Sequence, residues 1–421
     1  MSGRLLLICG NFAPEPTGTG KYSGEMIKWL ADNGYDCTVI TSYPYYPQWQ
    51  VQAPYVKNRY WYKKEVQYSD NGKRKITVYR CPQYTPANPS GKKRIIMDLS
   101  FLLSTFFKLL QLLTAKKFDV VMTVVPSFHL GFLGVLYKKI RGAKFLYHIQ
   151  DLQIETARDL GMIRSPSLIK WLFILEKYIL QKADIISSIS EGMISKIQQK
   201  TGGNVELFPN WVDVRLFYPL ENKASLKTQY GFNITDKVIL YSGAIGEKQG
   251  LEMILHTAAG LKEQGHIKFL ICGSGPYKKK LGSMAAALDL KNVIFFPLQP
   301  LERFNHFLNM ADVHLVIQKA NAGDLVMPSK LTTIMAVGGV SVITANPGTS
   351  LHEVVQLKHI GILVMAENQP ALNEGIRTAV YKESGHITRN AREYALNYLA
   401  TDIIMIRFER SLRHGHIDPP C

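Results

Sequence analysis

Short runs rich in β-branched and aromatic residues alternate with stretches of helical period along all 421 residues, and this alternation leaves few architectures open. Strands that pair in parallel need a crossover of a dozen or more residues between them, which a helix usually supplies. In the first half the candidate strands are 5–9, 36–41, 76–80, 120–125, 144–147 and 185–188; the second half restarts the pattern at 238–242, 268–272, 293–296, 313–317, 340–344 and 362–364. Between the two sets, prolines and polar residues break any period from Pro209 to Ile234. The length exceeds what one core usually organises. The expected fold is therefore α/β: two doubly wound domains joined at that interruption, with a ligand cleft at the carboxyl ends of their strands.

Charge and cysteine content narrow the function. The formal charge of +17 calls for an anionic counterpart such as nucleic acid, an anionic membrane surface or a phosphorylated substrate. Lysines and arginines are spread widely and no zinc-finger, RRM or KH signature appears, so nucleic acid is not expected as a partner. Five scattered cysteines without a CxxC pair argue for a reducing compartment and against structural zinc. The apolar run at the start is too short for a signal peptide and reads as a first strand. The expected location is cytoplasmic.

Two loops have the chemistry of anion cradles. In NAGDLVMPSKLTTIMAVGG, from Asn321 to Gly339, a short loop runs through Met327, Pro328, Ser329 and Lys330 into a helical stretch. Unpartnered amides, the positive end of the helix dipole and a lysine converge there, an arrangement that suits a diphosphate. Gly, Pro and Ser at such a loop also serve an ordinary turn. The first strand leads into NFAPEPTGTGKYSGEMIKWLADNG, a Pro/Gly loop and a helix that stops at Gly34. A Walker A spelling fails at Glu15 and Tyr22, and a dinucleotide fingerprint fails because Gly24 falls one residue late. A glycine loop that admits a ligand, or a flexible turn, remains.

The longest apolar segment, Ile95 to Leu113, is flanked by Lys92, Lys93 and Arg94 and by Lys116 and Lys117, and Asp98 and Lys108 interrupt it. Those charges argue against a spanning helix. At about 100° per residue, Ser100, Ser104, Lys108 and Gln111 gather on a narrow stripe while leucines and phenylalanines, Phe106 and Phe107 among them, cover the rest. Two placements satisfy this pattern: a crossover helix well buried in the first domain, or a helix lying partly in a membrane interface.

Six stretches in order, PTGTGKYS, KADIISSISEGM, LFPNWVDVRLFYP, YSGAIGEKQGLE, FLICGSGP and LVMPSKLTTIMAVGG, make the chain resemble the retaining glycosyltransferases of family 4. That family has the GT-B fold of two facing Rossmann-like domains. The wording YPYYPQW, GEKQGLE and LVMPSKL is similar to the colanic-acid-type exopolysaccharide fucosyltransferases. The resemblance implies an amino-terminal acceptor-side domain over 1–212, completed by a last helix at about 398–415, and a nucleotide-sugar-binding domain over 213–397.

Carried over by position, the resemblance places donor contacts at Gly18 and Gly20, at Gly243, Lys248 and Gly250, at Gly273, and at Met327, Pro328, Ser329 and Lys330. Relatives usually have Arg and Lys where this chain has Ala244 and Gln249, so Lys248 and Lys330 are the cations left. Their pair of glutamates falls on Leu325 and Thr333, with Asp324 one residue off. The catalytic polar group belongs in KFLYHIQDLQIE, as His148 or Asp151. Lys93, Arg94, Phe106, Phe107 and His129 fall to the acceptor or the membrane.

The implied reaction moves a sugar, fucose or another hexose, from a nucleotide-diphosphate donor to a lipid-linked saccharide with retention, in exopolysaccharide or capsule synthesis. The nucleotide sugar is a co-substrate and no other cofactor is expected. No DxD-type motif stands out, so metal independence is expected. Peripheral association with the inner face of the plasma membrane completes the expectation. The rivals are a GT-B nucleotide-sugar epimerase and a non-catalytic membrane-associated scaffold.

Overall fold

The computed structural model describes residues 3–159, 163, 165–320 and 328–414. The chain divides into two compact units, Met1–Pro209 with Met405–Cys421, and Asn210–Ile404.

Unit 1 is built on an eight-stranded sheet of β1 (Arg4–Cys9), β2 (Asp36–Ser42), β3 (Lys63–Tyr68), β4 (Lys75–Cys81), β5 (Val120–Val125), β6 (Lys144–Ile149), β7 (Ile185–Ser188) and β8 (Glu206–Leu207), in the order β3-β4-β2-β1-β5-β6-β7-β8. All neighbours run parallel except β3, which pairs antiparallel with β4 at the edge. Strands β1 and β5 are buried almost throughout, as continuous apolar runs must be when helices cover both faces. The helices are α1 (Gly18–Asp32), α2 (Gly91–Leu113), α3 (Gly131–Arg141), α4 (Gln153–Asp159), α5 (Pro166–Lys182) and α6 (Glu191–Thr201). Helix α3 packs against both α2 and α5, and α5 against α6.

Unit 2 is a six-stranded, all-parallel sheet of β9 (Lys237–Ser242), β10 (Ile267–Cys272), β11 (Val293–Phe296), β12 (Val313–Val316), β13 (Ser341–Thr344) and β14 (Ile362–Val364), ordered β11-β10-β9-β12-β13-β14. Its helices are α7 (Lys223–Gln229), α8 (Glu252–Gly260), α9 (Lys278–Ala287), α10 (Leu301–Asn309), α11 (Ser329–Ala336), α12 (Ser350–Lys358), α13 (Gln369–Tyr381) and α14 (Gly385–Tyr394). Two apolar clusters fill the unit. Helix α15 (Thr401–His414) ends the described chain. From Met405 it belongs to unit 1, where Phe408 stacks on Phe208 with ring centroids 4.0 Å apart.

Each sheet reverses its strand order beside its first strand, between β1 and β5 and between β9 and β12. Ligands of doubly wound sheets bind at the carboxyl ends of strands at such switch points.

Four elements differ from the sequence expectation. Strands β3 and β8 were not among the candidates, and α7 lies inside the interval taken as irregular. Helix α2 is not a well-buried crossover helix: only 33% of its most apolar window is buried. Its polar stripe turns inward. Ser104 Oγ donates to Pro82 O at 2.7 Å, Tyr84 N donates to Ser100 Oγ at 3.0 Å, and Lys108 Nζ lies within 5 Å of the Tyr62 and Tyr79 ring centroids. The apolar arc of Ile95, Ile96, Leu99, Leu103, Phe107 and Leu110 is exposed. By length and composition alone α2 is able to cross a membrane, yet Met97, Phe101, Thr105, Leu109 and Leu112 anchor it in the unit.

Candidate functional site

In unit 2 three segments meet at the carboxyl ends of β9 and β10 and the start of α11. Gly243 N donates to Cys272 O at 3.0 Å and Ile245 N to Ser274 O at 2.9 Å, which zips the loops after β9 and β10 together. A Cβ at Gly273 would lie 1.9 Å from Gly243 O. Only glycine permits that approach, so Gly273 shapes the floor of the loop. Gly250, at φ 67°, closes the short turn Glu247–Gln249. Gln249, which stands where the family resemblance implies a lysine, accepts from Gly246 N at 3.1 Å and is spent on that turn.

Lys330 sits on the first turn of α11. Its Nζ lies 4.0 Å from the Tyr241 ring centroid, and a Cβ at Gly243 would lie 3.3 Å from it. Half-buried and without a carboxylate or hydrogen-bond acceptor among the described residues, its ammonium is pushed down from 10.5 to about 7 by burial. A cation held where water solvates it poorly gains most from an incoming anion. Helix α11 has Pro328 at its N-cap and, among the described residues, no side-chain cap, which leaves its first amides available to the same ligand. Ser329 is exposed. The hydroxyl of Thr333 donates to Lys330 O at 3.0 Å, within its own helix. Asp324, Met327 and the side chain of Lys248 lie outside the described residues.

In unit 1 the loop after β1 is held by a buried network. Glu15 accepts from Asn11 Nδ2 at 2.6 Å and from Tyr46 N at 2.8 Å, and burial raises its pKa. Arg80, fully buried, donates to Ala13 O at 2.5 Å and Ser42 O at 3.2 Å, and pairs with Glu65 at 3.2 Å. Gly20 packs against this loop: a Cβ there would lie 2.8 Å from Glu15 O, and Gly20 N already donates to Thr17 Oγ1 at 3.0 Å. Nothing lies within 4 Å of a Cβ at Gly18.

The two catalytic candidates have different surroundings. His148, 2% exposed, has both ring nitrogens engaged, Nδ1 with Ser187 Oγ at 2.9 Å and Nε2 with Gln150 Nε2 at 3.2 Å. Burial pushes its pKa to about 3, so it is neutral and, with the amide donating to Nε2, fixes Gln150. Asp151 follows β6 half-exposed and accepts from Thr156 Oγ1 at 3.3 Å.

Beside them His129, in a 3-10 turn after β5, has a buried Nε2 with no hydrogen-bond partner among the described residues. Burial lowers its pKa to about 4. Two further residues join this set that sequence reasoning missed. Asp98 on α2 is raised to about 6 by burial, against the hydrogen bond of Gln153 and the charge of Arg94. Gln153 accepts from Phe128 N at 3.2 Å. A lone carboxylate in an apolar helix was the available signal. Arg94 covers the Trp49 ring at 4.9 Å, and Lys93 and Phe107 are exposed, with Phe106 half-buried. Planar polar groups beside Tyr45 and Trp49, whose ring centroids lie 5.5 Å apart, are the chemistry that recognises sugar hydroxyls and faces.

Comparison with known proteins bears on both units. The family described as Glycosyl transferases group 1 matches residues 222–397, and the Glycosyl transferase 4-like domain matches residues 17–211. The chain is 38% identical over 418 residues to a putative colanic acid biosynthesis glycosyl transferase, WcaI, of Escherichia coli strain K12, covering 97% of this chain and 100% of that one. Among solved structures, sucrose-phosphate synthase from Thermosynechococcus elongatus superimposes with a TM-score of 0.75 at 16% identity, over 98% of this chain and 99% of that one. Alr3699/HepE of Anabaena, in complex with UDP and glucose, does so with a TM-score of 0.69 at 14% identity, again over 98% and 99%. The chain belongs to the group 1 glycosyltransferases, with a glycosyl transferase 4-like amino-terminal half and the GT-B fold of two Rossmann-like domains.

Proposed function

We propose that the protein transfers a hexose, fucose being one choice, from a nucleoside-diphosphate sugar to a lipid-linked saccharide with retention at the anomeric carbon, in the assembly of a colanic-acid-like exopolysaccharide. The observation that carries the donor half of this reading is the poorly solvated Lys330 ammonium at the uncapped start of α11, beside Gly243. In the reaction the bond from the anomeric carbon to the diphosphate oxygen breaks, and the acceptor hydroxyl oxygen bonds to that carbon on the same face. The hydroxyl proton passes to the leaving diphosphate. Charge builds on the diphosphate as the bond breaks, and Lys330 with the α11 amides stabilises it without reorganising.

Asp151 is the acceptor-side group in this reading, because it is half-exposed whereas His148 is buried and committed to Ser187 and Gln150. His148 then acts as a positioning residue. Gly18, Gly20 and Gly273 serve by letting the backbone close on itself or on a ligand. The similarity to the WcaI protein supports an exopolysaccharide product, and the exposed apolar arc of α2 behind Lys92, Lys93 and Arg94 supports work at the cytoplasmic face of the membrane.

Titration calorimetry of Lys330→Ala tests the donor site. Affinity for UDP or GDP is expected to fall by roughly tenfold or more, as removal of a charge-assisted contact implies, while affinity for the free nucleoside stays. An equal loss for both ligands removes Lys330 from the diphosphate.

A further inference from the structure

Helix α5 has an apolar surface that is left exposed among the described residues. Of its seventeen residues only Glu176, Ile179 and Leu180 are buried. Wound at about 100° per residue, Leu168, Trp171, Ile174, Leu175 and Tyr178 fall on one arc, and all are exposed, Trp171 at 63%. Next to that arc Lys170 and Lys177 form a cationic row, and neither has a carboxylate partner among the described residues. Beyond the row a groove of about 590 Å³ opens between α4 and α5, lined by Arg158, Ile169, Lys170, Phe173, Ile174 and Lys177.

The pattern continues across the same side of the sheet. Helix α3 packs between α5 and α2, and α2 shows its own exposed apolar arc, with Leu99 at 57% and Leu103 at 58%. Lys92, Lys93 and Arg94 on α2, Lys139 on α3, and Lys170 and Lys177 on α5 add cations along it, whereas Lys138 is paired with Asp184 at 2.6 Å and Arg141 donates to Leu113 O and Ala115 O. Only two carboxylates occur on the three helices, Asp98 and Glu176. Asp98 is half-buried beside Gln153, and Glu176 is buried and paired with Lys200 at 2.7 Å. Exposed apolar side chains clustered on neighbouring helices, with cations beside them, are the pattern that marks an interaction surface.

We infer that α2, α3 and α5 form one docking face for an anionic phospholipid bilayer, with the Leu168, Trp171 and Leu175 arc of α5 entering the interface and the α4–α5 groove receiving lipid phosphates between Lys170 and Lys177. The charge argues for this occupant. A second copy of the chain would bring a like-charged face, whereas an anionic leaflet attracts each cation and accepts apolar side chains beneath its head groups. The inference extends the proposed lipid-linked acceptor, but its test needs neither donor nor acceptor.

Full-length protein is sedimented with phosphatidylglycerol/phosphatidylcholine vesicles and with phosphatidylcholine vesicles alone, and Trp fluorescence is followed. Wild type is expected to bind the anionic vesicles with a blue shift, and to bind neutral ones at least tenfold more weakly. The triple variant Leu168→Ser/Trp171→Ser/Leu175→Ser is expected to lose vesicle binding tenfold or more. It keeps the melting temperature and the affinity for UDP or GDP, because the three positions are exposed and lie outside the donor site. Lys170→Glu/Lys177→Glu is expected to lose the preference for anionic vesicles.

Wild type that stays in the supernatant overturns the inference, as does a triple variant that binds as well as wild type. So does light scattering that finds a wild-type dimer which the triple variant dissolves. Release of wild type from vesicles by millimolar glycerol phosphate, with no effect of the triple variant, reduces the groove to a free-phosphate site and also overturns it. Intact UDP or GDP binding beside failed vesicle binding separates this failure from failure of the donor site.

Discussion

Lys330 has a pKa lowered to about 7 by burial, so in the proposed donor site an arriving diphosphate is expected to restore its charge and binding to take up a proton above pH 7. Affinity is expected to fall as pH rises from about 7, and calorimetry in buffers of different ionisation enthalpy reads the proton uptake directly. Absence of uptake at pH 8 removes the lysine from the phosphates. The free protein shows the opposite trend for this group. Its unfolded form binds the extra proton between about 7 and 10.5, so its contribution to stability rises with pH across that window.

On the proposed acceptor role of Asp151, Asp151→Asn is expected to lower turnover by about 10²-fold or more, the range of a positioned polar group, with donor binding kept. His148→Gln is expected to change turnover less and to change acid stability more. The folded pKa of His148 is about 3 against an ordinary 6.5, so the unfolded chain takes up its proton first and stability falls as pH drops below about 6.5. Each such histidine adds a slope of about 1.4 kcal/mol per pH unit. Melting curves between pH 7 and 4 should therefore be flatter for the variant; an unchanged slope contradicts the buried, neutral histidine.

Helix α2 makes a test at the scale of one element. Phe101 is 1% exposed and Phe107 is 51% exposed, although both stand in the same apolar run. Phe101→Ser is expected to cost about 3–5 kcal/mol in denaturant unfolding, and Phe107→Ser within about 0.5 kcal/mol. Equal costs contradict the inward polar stripe.

This helix also shows where sequence reading stops. Twelve of the fourteen strands among the described residues were legible because buried parallel strands are continuous β-branched runs. Strand β3 was not, since KKEVQY at a sheet edge carries charges that protect it rather than a core pattern, and β8 spans only two residues. The period of α2 located its polar stripe, but which side faced the sheet depended on Tyr62, Tyr79 and Pro82, all distant in sequence. The exposed arc of α5 was missed for the same reason: an apolar crossover helix carries no mark of being uncovered.

Across the whole molecule, the alternation of strands and helices and its restart after Pro209 made the fold legible, and six ordered stretches made the family legible. The sites were legible only in part. Lys330 was legible from its place where a loop enters a helix and Asp151 from the family resemblance, whereas Glu15, Arg80, Asp98 and Gln153 come together through tertiary packing. The final helix returns Phe408 to stack on Phe208 in unit 1. Ending the chain before Met405 is expected to raise amide exchange in β6, β7 and β8 while β9 to β14 keep their protection; a uniform increase contradicts two separate units.

The central claim is transfer of one hexose with retention. Its most direct test is incubation of the enzyme with UDP- and GDP-hexoses and lipid-linked saccharides, followed by mass spectrometry and anomeric-proton NMR of the product. One added hexose with the donor's anomeric configuration, and one nucleoside diphosphate released per transfer, is the expected result. Diphosphate release with no glycosylated acceptor, an inverted linkage, or an epimerised free sugar contradicts it.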